Sequence, residues 1–259
     1  MPCFEENFRG MKYPDIRIVI ILTLLISGGG ISSAFFSGDE IDSLAIQDSI
    51  EEPVSLLSIN EIDSIGCDDN ERYLHLTEND FKIVAEELDV EVAAIKAVVE
   101  IEAGKAMKGF WAPGIPVINF DRSMYLKYRG KAVNKEGAKG ETVPEGLTGY
   151  ALKEWKELIN ARKTNAQGAN LGTFWGMFQI GGFNYKLCGC SSVDEFVKRM
   201  AYSELEQLQL FAVFITNAGM LQSLRKKDWA TFARKYNGPS YAKRGYHTKM
   251  AKAYARFSK

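Results

Sequence analysis

The chain has 259 residues, with 46% hydrophobic and 25% charged residues and a formal net charge of −1. That is long enough for one large domain or two small ones with a substantial buried core, and the composition excludes a disordered or fibrous chain. The near-zero charge hides an asymmetry: residues 39–71 hold eleven acids and no Lys or Arg, whereas residues 72–259 hold 29 basic and 19 acidic residues, a net charge of +10. A basic globular part suits a polyanionic partner, whether nucleic acid, a membrane surface or an anionic cell wall, and is equally compatible with a solvated cationic face.

In chain order, the first element is an apolar run, Ile18 to Ile26, preceded by Arg9, Lys12 and Arg17 and followed by glycines and Ser32-Ser33-Ala34. This is the layout of a signal peptide covering residues 1–34, with a small-residue site ending at Ala34. The alternative is a retained membrane anchor, weakened by Gly28-Gly29-Gly30. Export to the periplasm or the exterior follows in both cases. Residues 35–71 read as an acidic linker without sustained periodicity. From residue 72 the pattern becomes a single helical domain.

Thr77-Glu78-Asn79-Asp80 has the form of a capping box, and Phe81, Val84, Ala85 and Leu88 follow at helical spacing. A second helix is expected over residues 91–103, ended by Gly104. Residues 105–150 are rich in Gly, Pro and Lys and read as loop, with a strand signal only at Pro116 to Phe120. Further helices are expected over 151–162, 192–200, 203–218, 228–235 and 241–257. The fold class is therefore mainly α, with long loops and at most a small β element.

Cysteine is scarce. Cys188-Gly189-Cys190 is too tight for a comfortable disulfide with itself, and a metal site would need more ligands than this pair and the distant His75 and His247. A bridge from Cys67 to either is the alternative in an exported protein. No cofactor and no metal are implied.

The second helix carries two acids, Glu100 and Glu102. Two residues apart, they point about 200° from one another and cannot face each other as a pair. Glu100 lies four residues after Lys96, a surface ion-pair spacing. Glu102 shares its face with Ile95, Val98 and Val99, at the last helical turn. Burial and the negative end of the helix dipole both raise a carboxylate pKa there. A Glu held protonated near neutral pH is what general-acid cleavage of a glycosidic bond needs. The competing reading is a core Glu bonded to backbone or to an Arg. Two weaker motifs follow: Gln179 within FWGMFQI, and Tyr236-Asn237-Gly238-Pro239, a loop signal.

The order of these motifs resembles the lysozyme-like superfamily, and within it the N-acetylmuramidase family of phage-endolysin type. The segments that carry the resemblance are DVEVAAIKAVVEIEAG (Asp89 to Gly104), FWGMFQIGGFN (Phe174 to Asn184) and FARKYNGPSY (Phe232 to Tyr241), and the likeness spans roughly residues 76–257. The resemblance implies a lysozyme-like helical domain and hydrolysis of the β-1,4 bond between N-acetylmuramic acid and N-acetylglucosamine in peptidoglycan. It implies Glu102 as catalytic acid and Asp121 as an assisting carboxylate, within Phe120-Asp121-Arg122-Ser123, where the family has Glu and His in place of Asp121 and Ser123. Ala103 likewise replaces a common Ser. Phe178, Gln179, Tyr236 and Asn237 would contact the glycan, with Tyr236 and Asn237 orienting the acid, while Trp175 reads as a structural wall. The implied partner is the glycan strand, acted on by a monomer, with membrane contact confined to the N-terminus and no nucleic acid, since no nucleic-acid module is recognisable. A lytic transglycosylase forming 1,6-anhydro products and a non-catalytic wall-binding module are the readings left open.

Overall fold

The computed structural model describes Tyr73 and residues 75–259. The expected signal peptide or anchor, the acidic linker and Cys67 lie outside the described residues. Among the described residues there are eleven α-helices and five short strands, and no helix is long and apolar enough to cross a membrane.

Helix α1 (Glu78–Leu88) starts as its sequence dictates: Asp80 N–H donates to Thr77 Oγ1, and Thr77 N–H donates to Asp80 Oδ2. It stops at Asp89, whose φ of 51° is left-handed. Helix α2 (Val92–Ala103) is apolar on nearly every side. Such a helix belongs in a core, and Ala94, Ile95, Ala97, Val98 and Val99 are fully buried. Gly104, at φ 79°, turns the chain away from its C-terminal end.

Residues 105–150 carry more order than their composition suggests. A hairpin of β1 (Phe110–Ala112) and β2 (Ile115–Pro116) leads into β3 (Ile118–Phe120) and then α3 (Arg122–Tyr128). Strands of two or three residues are too short to display an alternating period, so the sequence shows only β3. Next come α4 (Gly149–Arg162), α5 (Ala166–Leu171), β4 (Thr173–Trp175) and β5 (Ile180–Gly181). The three-stranded sheet is antiparallel in the order β3-β4-β5, with Ile118 opposite Trp175 and Trp175 opposite Ile180.

The C-terminal part holds α6 (Val193–Met200), α7 (Glu204–Asn217), α8 (Leu221–Arg225), α9 (Trp229–Asn237), α10 (Tyr241–Arg244) and α11 (Tyr246–Phe257). The single last helix expected over 241–257 is broken at Gly245, which sits at φ 70° and separates α10 from α11. Helices α5 and α8, of six and five residues, are too short to reveal a helical period. Helix α11 makes the most extensive helix contact with α2 and also packs on α9. The chain's end thereby supports the helix that carries Glu102.

The ion pairing of α2 differs from expectation. Lys96 pairs with Glu78 of α1, and Glu100 pairs with Arg256 of α11. The Glu100 side chain is only 15% exposed. Tertiary packing brings each residue a partner from another helix, and the local Lys96–Glu100 pair does not form. Cys188 and Cys190 are buried free thiols, and burial raises both pKa values.

Candidate active site

Glu102 lies one residue from the end of α2. Its face is set by Ile95, Val98 and Val99, all fully buried, and the carboxyl itself is partly buried at the mouth of that face. Burial pushes its pKa from 4.5 up to about 7, against the lowering effect of one hydrogen bond from Asn237. Asn237 Nδ2 donates to Glu102 Oε1 at 2.8 Å. Glu102 Oε2 makes no hydrogen bond to the described residues and is not among their fully buried unpartnered atoms. One oxygen is therefore held and the other is open. Asn237 Oδ1 is a buried acceptor without a partner.

Asn237 is the last residue of α9, followed by Gly238 at φ 76°. Its neighbour Tyr236 is enclosed by Phe211, Phe214 and Phe232, with the Phe232 ring stacked on it at 5.4 Å. Burial, and then the charge of Glu102, hold the Tyr236 phenol pKa well above its ordinary value. The hydroxyl thus stays protonated and donates to the carbonyl of Phe178 at 2.5 Å. Tyr236 acts on the site through this bond, which ties α9 to the turn between β4 and β5.

That turn holds the other two expected residues. Phe178 corrects its expectation: its ring is 0% exposed and stacks on Phe211 at 4.1 Å, so the ring packs the core and cannot line a glycan cleft. Only its carbonyl bears on the site. Gln179 is partly exposed with φ 47°, a left-handed conformation uncommon outside glycine. Its backbone N–H and its Nε2 both donate to Gly176 O, at 3.2 and 2.8 Å, leaving Oε1 without a protein partner among the described residues. Trp175 is fully buried, and its indole N–H donates to Asn170 O at 3.1 Å, consistent with a wall.

Asp121 is the N-cap of α3. Its Oδ1 accepts from the backbone N–H groups of Ser123 and Met124 at 2.8 and 3.0 Å. The Phe120 N–H beside it donates to the buried Glu154 at 2.8 Å. The structure therefore joins Glu102, Asn237, Tyr236, Phe178 O and the Gln179 turn by contacts, and gives Asp121 a capping role of its own.

Two residues escaped the sequence reading. Glu204 and Gln207, on the first turn of α7, are 1% and 0% exposed; both bind the backbone of Gly109, and Gln207 also binds Met177 in the Gln179 turn. Their signal is two polar residues three apart within ELEQLQLF, an otherwise apolar helix start, which a solvated face explains equally well. Lys226, just past α8, Lys243 and Arg244 of α10, and Lys249 and Lys252 of α11 are exposed cations.

Comparison with known proteins supplies the context for this geometry. No curated protein matches the sequence. Among solved structures, the crystal structure of the endolysin of the Burkholderia phage AP3 is similar, with 37% sequence identity, a TM-score of 0.58 and 71% of each chain covered. A family model described as N-acetylmuramidase matches residues 91–258, from the start of α2 to the end of α11. The chain belongs to the N-acetylmuramidase family.

Proposed function

We propose that this peptidoglycan hydrolase cleaves the β-1,4 bond between N-acetylmuramic acid and N-acetylglucosamine, with Glu102 as the general acid. The observation that carries the reading is the state of Glu102. A carboxyl with a pKa of about 7 is about half protonated at neutral pH, and its unpartnered Oε2 can deliver that proton to a leaving oxygen. Asn237 holds Oε1 and fixes the direction of the open oxygen. Gln179 is partly exposed, and its Oε1 is an unpartnered acceptor suited to acetamido and hydroxyl groups of the glycan.

As bond cleavage proceeds, positive charge grows on the sugar. Asp121 is the proposed assisting carboxylate: its Oδ1 is engaged by the cap, and its Oδ2 has no partner among the described residues. The substrate's own acetamido group is the other source of stabilisation. The exposed cations of the C-terminal helices suit an anionic wall, and a substrate in the wall fits export by the N-terminal segment.

One observation favours a second reading. Because the Asp121 cap engages one of its oxygens, a dedicated base for water is less evident than the acid, and a lytic transglycosylase needs only the acid. Product mass spectrometry decides: reducing N-acetylmuramic acid ends support hydrolysis, and 1,6-anhydro ends contradict it. Purified Glu102→Gln is the test of the acid itself. It is expected to lose activity on purified peptidoglycan by about a thousandfold while remaining folded.

A further inference from the structure

Helix α7 opens with Ser203 as its cap, and places Glu204 and Gln207 on one buried face. Together they clamp both backbone polar groups of a single residue, Gly109. Gly109 N–H donates to Glu204 Oε1 at 2.7 Å, and Gln207 Nε2 donates to Gly109 O at 3.3 Å. Gln207 Nε2 also donates to Met200 O at 2.8 Å, while its Oε1 accepts Met177 N–H at 2.8 Å. Both hydrogens of the amide and its oxygen are engaged.

The fit leaves no room for substitution around it. A Cβ on Gly109 would lie 2.5 Å from Gln207 Oε1, and one on Gly176 would lie 2.7 Å from the same atom. Gly176 also needs its φ of 71°, and three residues later Gln179 is left-handed as well. Glycine adopts that conformation freely, but the left-handed Gln179 persists only when its surroundings hold it. Gln207 supplies that hold from inside, with help from Gly176 N–H donating to Val117 O at 2.8 Å.

The turn leads directly to the acid. Met177 is anchored by Gln207. The next carbonyl, that of Phe178, receives the Tyr236 hydroxyl, and the residue after Tyr236 is Asn237, which holds Glu102. Glu204 extends the clamp the other way: its Oε2 accepts Leu76 N–H at 2.9 Å and its Oε1 lies 3.0 Å from His75 Nδ1. His75 and Leu76 precede residue 91, where the family match begins.

We propose that Gln207, with Glu204 one turn before it, is a positioning residue for the Glu102 site: it fixes the Gly176–Gln179 turn, and through the Phe178 carbonyl and Tyr236 it sets how Asn237 holds the acid. This inference rests on Glu102 being the acid. A packing role alone predicts lost stability on substitution; positioning predicts a changed reaction in a folded protein.

The test compares Gln207→Glu, Tyr236→Phe and the double variant. Gln207→Glu keeps the shape and the acceptor for Met177 N–H, and sets an oxygen against the carbonyls of Gly109 and Met200. Tyr236→Phe keeps the ring stack and removes only the hydroxyl that joins the turn to α9. Rates are read on soluble N-acetylglucosamine–N-acetylmuramic acid oligomers across pH, at a temperature where circular dichroism shows the native fold. Each single variant is expected to lose about tenfold or more in kcat, with KM within about twofold. Each is also expected to move the alkaline limb of the profile upward, because a loosened Asn237 lowers the Glu102 pKa less. The double variant is expected to be no worse than the poorer single one, because both cut one connection. Wild-type kcat and pH profile in Tyr236→Phe overturn the inference by themselves, even where Gln207→Glu fails to fold. Independent, multiplying losses in the double variant also overturn it. Glu102→Gln run in parallel separates the two failures: if it is inactive while Tyr236→Phe is normal, only the positioning inference falls.

Discussion

The C-terminal end of α2 and the N-terminal end of α3 each carry a carboxylate, and the two ends treat it in opposite ways. At α2, Glu102 faces apolar side chains and the negative end of a helix dipole, with one neutral amide as its partner. At α3, Asp121 receives two backbone N–H groups at the positive end of a helix. The first setting favours the protonated acid; the second engages the carboxylate as a helix cap. In the proposed mechanism this difference in placement gives Glu102 the part of proton donor and Asp121 that of the assisting carboxylate.

The comparison breaks most clearly at Glu102. Glu102→Gln should reduce peptidoglycan cleavage by about a thousandfold, and it should also change stability. The folded pKa lies above the ordinary 4.5, so the folded protein binds the proton more tightly than the unfolded chain. Wild-type stability is therefore expected to fall as pH rises from about 4.5 through about 7. Glu102→Gln escapes that fall. At pH 8 it should be the more stable protein, by up to about 3 kcal/mol, and denaturant melts at pH 4 and pH 8 measure the difference. Equal melts at pH 8 would show that the carboxyl is not desolvated.

Removing the amide beside the acid is the next largest change. Asn237→Ala should lose about tenfold to a hundredfold in kcat. Its alkaline limb should move up in pH, since the lost hydrogen bond was lowering the Glu102 pKa. A limb that moves down contradicts the assigned direction of that bond.

At the other helix end, Asp121→Asn keeps an effective N-cap and removes the charge. Activity is expected to fall about tenfold, with thermal stability almost unchanged. Asp121→Ala should in addition cost about 1 kcal/mol of stability. A loss below twofold in Asp121→Asn would reduce this residue to a cap. The smallest effect belongs to Glu100→Gln, which breaks the pair with Arg256: activity should stay within about twofold, and stability should change by about 1 kcal/mol or less.

The same contrasts show what could be read from the sequence. Helical phase separates Glu102 from Glu100 because both lie on one long apolar helix, where each residue's direction follows from counting. It does not find the partners of Glu100 or Lys96, since Arg256 and Glu78 lie on other helices that the fold brings near. Phe178 looks like a cleft aromatic within FWGMFQI, but the left-handed turn at Gly176 and Gln179 directs its ring onto Phe211 and leaves the carbonyl facing Tyr236. Gln207 is silent in sequence because everything it binds is backbone, at Gly109, Met177 and Met200. Backbone partners leave no residue pattern beyond the glycines that make room for them.

The most direct measurement is the cleavage of purified peptidoglycan by folded Glu102→Gln beside wild type, with the released ends identified by mass spectrometry. The expected result is wild-type release of reducing N-acetylmuramic acid ends and almost none from the variant. Equal release by both proteins would contradict the assignment of Glu102 as the proton donor.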